Sequence, residues 1–541
     1  MRRHGLSPTA TFGALALTVS LAGLVPAIGT AGNASSAPQA QARAGNTALR
    51  MAVRAVGGAD ALRGLRSFRY AATGQRWIYD EGVRPGDRAK PSATFDERVR
   101  YVVADRRTSN MVRVDAVRTS NGADRPVHEV VSARRGFIRG IDANGSTAAS
   151  KPMTADRGAA IREELALLNP HVLLRQALLN PRMARGAGTT VVDGRTYRVV
   201  VIRRAVAPVR LLIDARTGRL ARLRTVQHDY LRRDVMVEVR YSRWRAAGAG
   251  LRFPLAVALW SDGQRIHQET RTTAGLAANP GLGRQAFRIP ADVRAKRFGN
   301  RLTMVGQKTS EWVMSCANLG FIKDGGQTAI NPTRVAPGVI LLSGVSNNSL
   351  VVRRAGGVVV VEGALHDLRA EAVHRFIRNR FPGARVTHVT TTHHHSDHSG
   401  GMRPYVALGA RAVVHRAAAP YFRQVFSARS STIMPDRLDR TNRPARITAV
   451  PANGSVLLDD ADQPIKVLAF PVAHSVDMTV TFLEQAGVLF VSDVYTPGAP
   501  PGDGGQALND LIEANNLDVR WIAGGHGGFI SYDDFLADLN G

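Results

Sequence analysis

The sequence predicts a mixed α/β protein in two parts, an antiparallel β-rich N-terminal half and a C-terminal half in which strands and helices alternate. Three observations carry that prediction. Between Ser67 and about Gln285, apolar and polar residues alternate in short runs broken by turn residues, the period of half-buried strands. From about Asn300, apolar runs of strand length give way to segments of helical period. A chain of 541 residues is also too long for one ordinary core.

Taken in order, Thr11 to Ile28 is apolar, preceded by Arg2 and Arg3 and followed by the small residues Gly29, Thr30, Ala31 and Gly32. It reads as a secretory signal peptide over residues 1–31, a retained anchor being the alternative. The arginine pair hints at twin-arginine export, but the rest of that motif is poor and ordinary secretion fits better. The protein is therefore expected outside the cytoplasm, periplasmic or extracellular, with no integral membrane segment once the signal is removed. Residues 32–46, rich in Ala, Ser, Gln and Gly, form the expected linker. Asn46 to Leu65 has helical spacing, broken at Gly57-Gly58.

The β-rich part is expected over residues 47–300. Its strands include Arg98–Val103, Tyr197–Ile202 and Val235–Tyr241, with hairpin turns at Asp214–Gly218 and Asp262-Gly263 and a helical interruption from Ile161 to Arg182. The runs Leu211–Asp214 and Tyr241–Trp244, with Gly250–Pro254, look like the curved sheet of LolA/LppX-type lipoprotein carriers. That likeness implies a concave face able to hold an apolar ligand, or an accessory domain only.

The formal charge is +29, which raises nucleic acid or an acidic membrane as partners. The positive residues are almost all arginine, spread along the chain without interleaved aromatics, so no nucleic-acid partner is inferred. The single cysteine, Cys316, excludes an intrachain disulfide and reads as a small buried residue.

In the C-terminal half, residues 301–541, Val339–Leu342, Ser349–Val352 and Gly357–Val361 read as strands. His366 to Phe381 reads as a helix ended by Pro382-Gly383. The apolar run Val386 to Thr391 then leads into Thr392-His393-His394-His395-Ser396-Asp397-His398, followed by Gly400-Gly401, which can open a helix. In an extended segment side chains two apart share a face, so His393, His395 and Asp397 project together and His394 points away. His398 joins them where the chain turns. Three imidazoles and a carboxylate so close together each need a buried partner if they are packing, but are natural ligands of a divalent transition metal.

The spacing His393-x-His395-x-Asp397-His398 resembles the signature of the metallo-β-lactamase superfamily, whose fold is a four-layer αββα sandwich. The resemblance implies three more ligands at strand ends, and His474, Asp493 and His526 stand in the expected order. It further implies that His393, His395 and His474 hold one ion, that Asp397, His398 and His526 hold a second, and that Asp493 bridges them. The ions are expected to be two Zn2+, with iron or manganese possible. Such a pair activates water for attack on a carbonyl or phosphoryl centre, with Asp397 as the catalytic residue that orients the nucleophile or moves its proton. Glu362 stands where many relatives have aspartate. His366, His388, His394 and His415 are read as structural or supporting, and Tyr495 as packing.

An aspartate at the bridging position is typical of thioesterase, lactonase and phosphodiesterase-like members, whereas the superfamily's β-lactamases usually place cysteine or serine there. The expectation is an exported metallohydrolase of a small-molecule ester, thioester, lactone or amide. The alternatives are β-lactamase-type activity, a lipid- or lipoprotein-binding protein with a vestigial hydrolase domain, and an iron enzyme of oxygen or sulfur chemistry. Oligomeric state is not legible.

Overall fold

The computed structural model describes residues 47–298 and 328–540, apart from 105–109, 121, 133, 141–149, 154, 205–206, 230, 345, 430–432, 434 and 442. The expected signal peptide, the linker, Cys316 and the boundary at 300/301 lie outside the described residues.

The N-terminal half forms one antiparallel sheet of fourteen strands. Its first meander runs outward from Ser67–Ile78 to Ser150–Pro152. A second runs inward from Ala184–Val192 to Gln264–Arg271, and this last strand closes on the first, with Ala72 opposite Arg271. The helical interruption comes as two helices, Ala155–Leu168 and His171–Leu179. They break at Asn169-Pro170, where proline offers no backbone N–H and the Asn169 side chain bonds the Leu165 carbonyl at 2.8 Å.

These helices cover the sheet. Ile161, Leu165, Val172 and Leu173 share a core with Val99, Val112 and Val114 of the strands. Ion pairs are buried in the same layer: Arg76 meets Glu164 at 2.9 Å, and Arg157 Nε meets Glu129 at 2.6 Å. One face of the sheet is thus packed by the chain's own helices. Arginine supplies several of the largest fully buried side chains, among them Arg118, Arg157, Arg233, Arg271, Arg369 and Arg403, so part of the formal charge is internal.

The C-terminal half is the expected αββα sandwich. A seven-stranded sheet runs from Asn331–Ala336 to Ile447–Val450, antiparallel through Gly357–Val361 and parallel from there on. A six-stranded sheet runs from Ser455–Leu458 to Phe529–Ser531. Alternation along the strands sorts their side chains between layers. Val339, Leu341, Val359 and Val361 face Ile465, Val467, Val488 and Phe490 between the sheets. Ile340, Leu342, Val358 and Val360 face the outer helices Asp367–Arg380 and Met402–Leu408. On the far side, Leu489 and Ile522 pack against Leu508 and Ile512 of Gly502–Ala514 and Phe535 of Tyr532–Asn540. No described helix is long and apolar enough to cross a membrane.

Candidate metal centre

Four strands deliver the candidate residues, all at their C-terminal ends. Val386–Thr390 leads to His393–His398, Ile465–Ala469 to His474, Val488–Val491 to Asp493 and Trp521–Gly524 to His526. The first motif is not extended throughout, as the sequence suggested. The strand stops at Thr390, and Ser396–Ser399 forms a single helical turn. That turn brings Asp397 and His398, adjacent in sequence, into one group.

All seven predicted side chains come together, in two groups: His393, His395, His474 and Asp493, and Asp397, His398 and His526. In the first, His474 Nε2 lies 3.2 Å from His393 Nε2 and 3.1 Å from His395 Nδ1. In the second, Asp397 Oδ2 lies 3.2 Å from His398 Nε2 and 3.8 Å from His526 Nε2. Asp493 stands between them. Its Oδ2 is 3.0 Å from His474 Nε2 and 3.6 Å from His393 Nε2, while its Oδ1 is 2.9 Å from His398 Nε2 and 3.0 Å from His526 Nε2. Donor atoms around a tetrahedral ion with bonds of about 2.0–2.1 Å sit roughly 3.3 Å apart, so these edges fit.

Four of the five imidazoles are also oriented through their second ring nitrogen. His395 donates Nε2–H to the Gly82 carbonyl at 2.8 Å, and His526 donates Nδ1–H to the Ser346 carbonyl at 2.9 Å. His393 Nδ1 meets Thr392 Oγ1 at 3.1 Å, and His398 Nδ1 meets Glu362 Oε1 at 2.5 Å. Each bond turns the ring's other nitrogen toward the common space. Orienting bonds of this kind are what metal-binding histidines use.

Charge follows the same plan. Burial, then the neighbouring rings of His398 and His395, holds His393 well below its ordinary value. Burial and His394 bring His395 down to about 3. Burial works to raise the Asp493 carboxyl, yet His398 and the histidines bonded to it hold it well below the usual carboxylate range. Asp397 is lowered too, its burial outweighed by His398. His393 and His395 therefore present neutral imidazoles and Asp493 an ionised carboxylate, the forms that ligate metal.

Asp493 adopts φ +62°, the left-handed region that a non-glycine residue seldom occupies. The glycines before His526 have steric reasons. A Cβ on Gly525 would lie 2.3 Å from Ser492 Oγ, and one on Gly524 would lie 2.0 Å from the His526 carbonyl. His394 points away as expected and bonds Asp477 at 2.7 Å. Tyr495 packs edge-on to Phe535.

Two features go beyond what the sequence suggested. Glu362 is central: its carboxylate accepts from Thr392 N at 2.7 Å and Thr392 Oγ1 at 2.9 Å besides meeting His398. The second is the segment Glu81-Gly82-Val83 from the β-rich half, which reaches the centre and has no local motif to announce it.

Residues 342–526 match the family model described as Metallo-beta-lactamase superfamily, a span that contains all seven residues. Similar solved structures include the DIM-1 metallo-beta-lactamase, 16% identical, covering 39% of this chain and 95% of that one at TM-score 0.31. The metallo-beta-lactamase from Pontibacter korlensis is 18% identical, covering 39% and 98% at TM-score 0.31. The flavodiiron protein from Giardia intestinalis is 14% identical, covering 39% and 58% at TM-score 0.30. No curated protein matches the chain.

Proposed function

Residues 342–526 being a metallo-beta-lactamase superfamily domain, we propose that the protein is an exported hydrolase with a dinuclear metal centre. In this reading His393, His395 and His474 hold one ion, Asp397, His398 and His526 hold the other, and Asp493 bridges. The observation that carries it is the division of the Asp493 carboxylate, one oxygen facing each group of histidines. Zinc suits the imidazole and carboxylate donors; iron and manganese accept the same set, and elemental analysis of protein purified without added metal decides among them.

Bound there, a pair of dications supplies an acidified water and positive charge for an oxyanion. The chain's own part is positioning. Asp397 accepts a hydrogen bond from Asn347 Nδ2 at 3.0 Å, which fixes its carboxylate, and its location suits it to orient a nucleophile or take its proton. The substrate class is an ester, thioester, lactone or amide. The bridging aspartate, where the superfamily's β-lactamases usually carry cysteine or serine, disfavours a dedicated β-lactamase. The segment Thr11 to Ile28 supports export, and N-terminal sequencing of secreted protein tests its removal.

The deciding experiment is a panel of ester, thioester, lactone, amide and β-lactam substrates on metal-loaded protein beside the His395→Ala, Asp397→Ala double variant. Hydrolysis by the parent alone is expected. Equal rates for the two proteins would sink the proposal.

A further inference from the structure

We infer, building on the dinuclear reading above, that the β-rich half is part of the metal centre and that Glu81 is a positioning residue for its first group of ligands. The segment that does this joins the strands Ser67–Ile78 and Lys90–Val102. Three consecutive residues in it hold the two loops that carry His393, His395 and His474.

Glu81 Oε1 accepts from Ser396 Oγ at 2.6 Å and from Ser396 N at 3.3 Å, while its Oε2 lies 3.5 Å from His395 Nδ1. Gly82 supplies the carbonyl that fixes the His395 tautomer. The Val83 carbonyl accepts from Val476 N at 3.0 Å and Ser475 Oγ at 3.2 Å, immediately after His474. The segment is itself anchored. Asp80 is bonded by Arg232 Nη2 at 2.8 Å and Tyr421 OH at 3.0 Å, and the Tyr79 hydroxyl donates to Asp229 at 3.0 Å.

The two groups of ligands differ in what orients them. His398 and His526 are held by Glu362 and Ser346, from their own half of the chain. His395 is held from the other half, across more than three hundred residues of sequence. Gly82 and Val83 hold only the loops of the first group, while Glu81 bonds Ser396 beside Asp397, so loosening the segment acts more on the first ion than on the second. A supporting partner of a ligand is worth roughly 10–100-fold in metal affinity.

The test uses the full-length chain as wild type, Glu81→Ala and Glu81→Gln. Zinc affinity is measured by chelator competition, and the occupancy of each group by anomalous scattering from crystals grown with one equivalent of zinc. Glu81→Ala should lose roughly 10–100-fold in affinity at the His393, His395 and His474 group, with a smaller loss at the other group. Glu81→Gln, nearly isosteric and still an acceptor for Ser396, should lose less and keeps the test readable if the alanine variant fails to fold. Unchanged affinity in both variants, or equal losses at both groups, overturns the inference while leaving the dinuclear reading intact. A wild-type protein that binds none of zinc, iron and manganese overturns both.

Discussion

Glu362 Oε1 lies 2.5 Å from His398 Nδ1 beneath the metal centre, and the same buried carboxylate takes both the backbone and the hydroxyl of Thr392. One side chain thereby orients a candidate ligand and, through the Thr392 hydroxyl that meets His393 Nδ1, a second one in the other group. Removing it does more than weaken a ligand. In Glu362→Ala the buried donors lose their acceptor, at about 1–3 kcal/mol for each left unpaired. The metal-free variant should unfold at lower urea concentration than wild type and bind zinc roughly 10–100-fold more weakly. Wild-type stability in the metal-free variant would count against this role.

Asp493 allows a cleaner separation of charge from fold. Its backbone sits at φ +62°, which asparagine tolerates better than most residues. Asp493→Asn should keep the fold while removing the bridging charge. Elemental analysis should then find fewer than two ions per chain, and hydrolysis should fall at least about 100-fold, as when a transition-state electrostatic partner is lost. Two tightly held ions and wild-type rates would show that Asp493 is not the bridge.

Much of this was legible in the sequence because three imidazoles and a carboxylate packed into one short stretch after an apolar run are hard to explain as packing. His393, His395, Asp397 and His398 declare themselves by spacing, whereas His474, Asp493 and His526 are picked out only by the resemblance to the metallo-β-lactamase superfamily, which implies a ligand at each of those strand ends. The helical turn at Ser396–Ser399 was missed because four residues carry no periodicity to read. The packing of two helices over the N-terminal sheet was missed for another reason. Alternation along a strand says that one face is buried but not what buries it. Glu81 was invisible because it meets Ser396 only through the docking of the two halves.

Burial of a histidine far from these ligands in sequence sets a pH dependence. His171 stacks on Phe253, bonds the Arg252 carbonyl at 2.8 Å through Nε2, and is pushed by burial down to about 3. Unfolded, it titrates near 6.5. Between those values the unfolded chain binds a proton that the fold refuses. Stability is therefore flat above about 6.5 and falls as the pH drops toward 3. From pH 7 to pH 5 this one group removes about 2 kcal/mol. His228 and His366 are likewise lowered to about 3 by burial and add to the slope. Urea midpoints for His171→Gln should fall less between pH 7 and pH 5 than those of wild type. Parallel curves would refute the assignment.

A buried ion network joins the halves at a second place. Arg233, fully buried in the β-rich half, reaches Asp367 at 3.1 Å and Asp439 at 3.2 Å in the other half, and Arg403 shares Asp439 at 3.0 Å while holding Asp436 at 2.7 Å. The attraction of Arg233 partly offsets the burial that raises the Asp367 carboxyl to about 6. Arg233→Ala takes one cation from three carboxylates that cannot reach water easily, at a cost of about 3–5 kcal/mol. Because the loss falls between the halves, calorimetry should show the wild-type transition split into two. Adding Asp367→Asn removes a charge left without its partner and should recover part of the loss. If the double variant is instead less stable than Arg233→Ala, the arginine is held there by packing and not by its carboxylates.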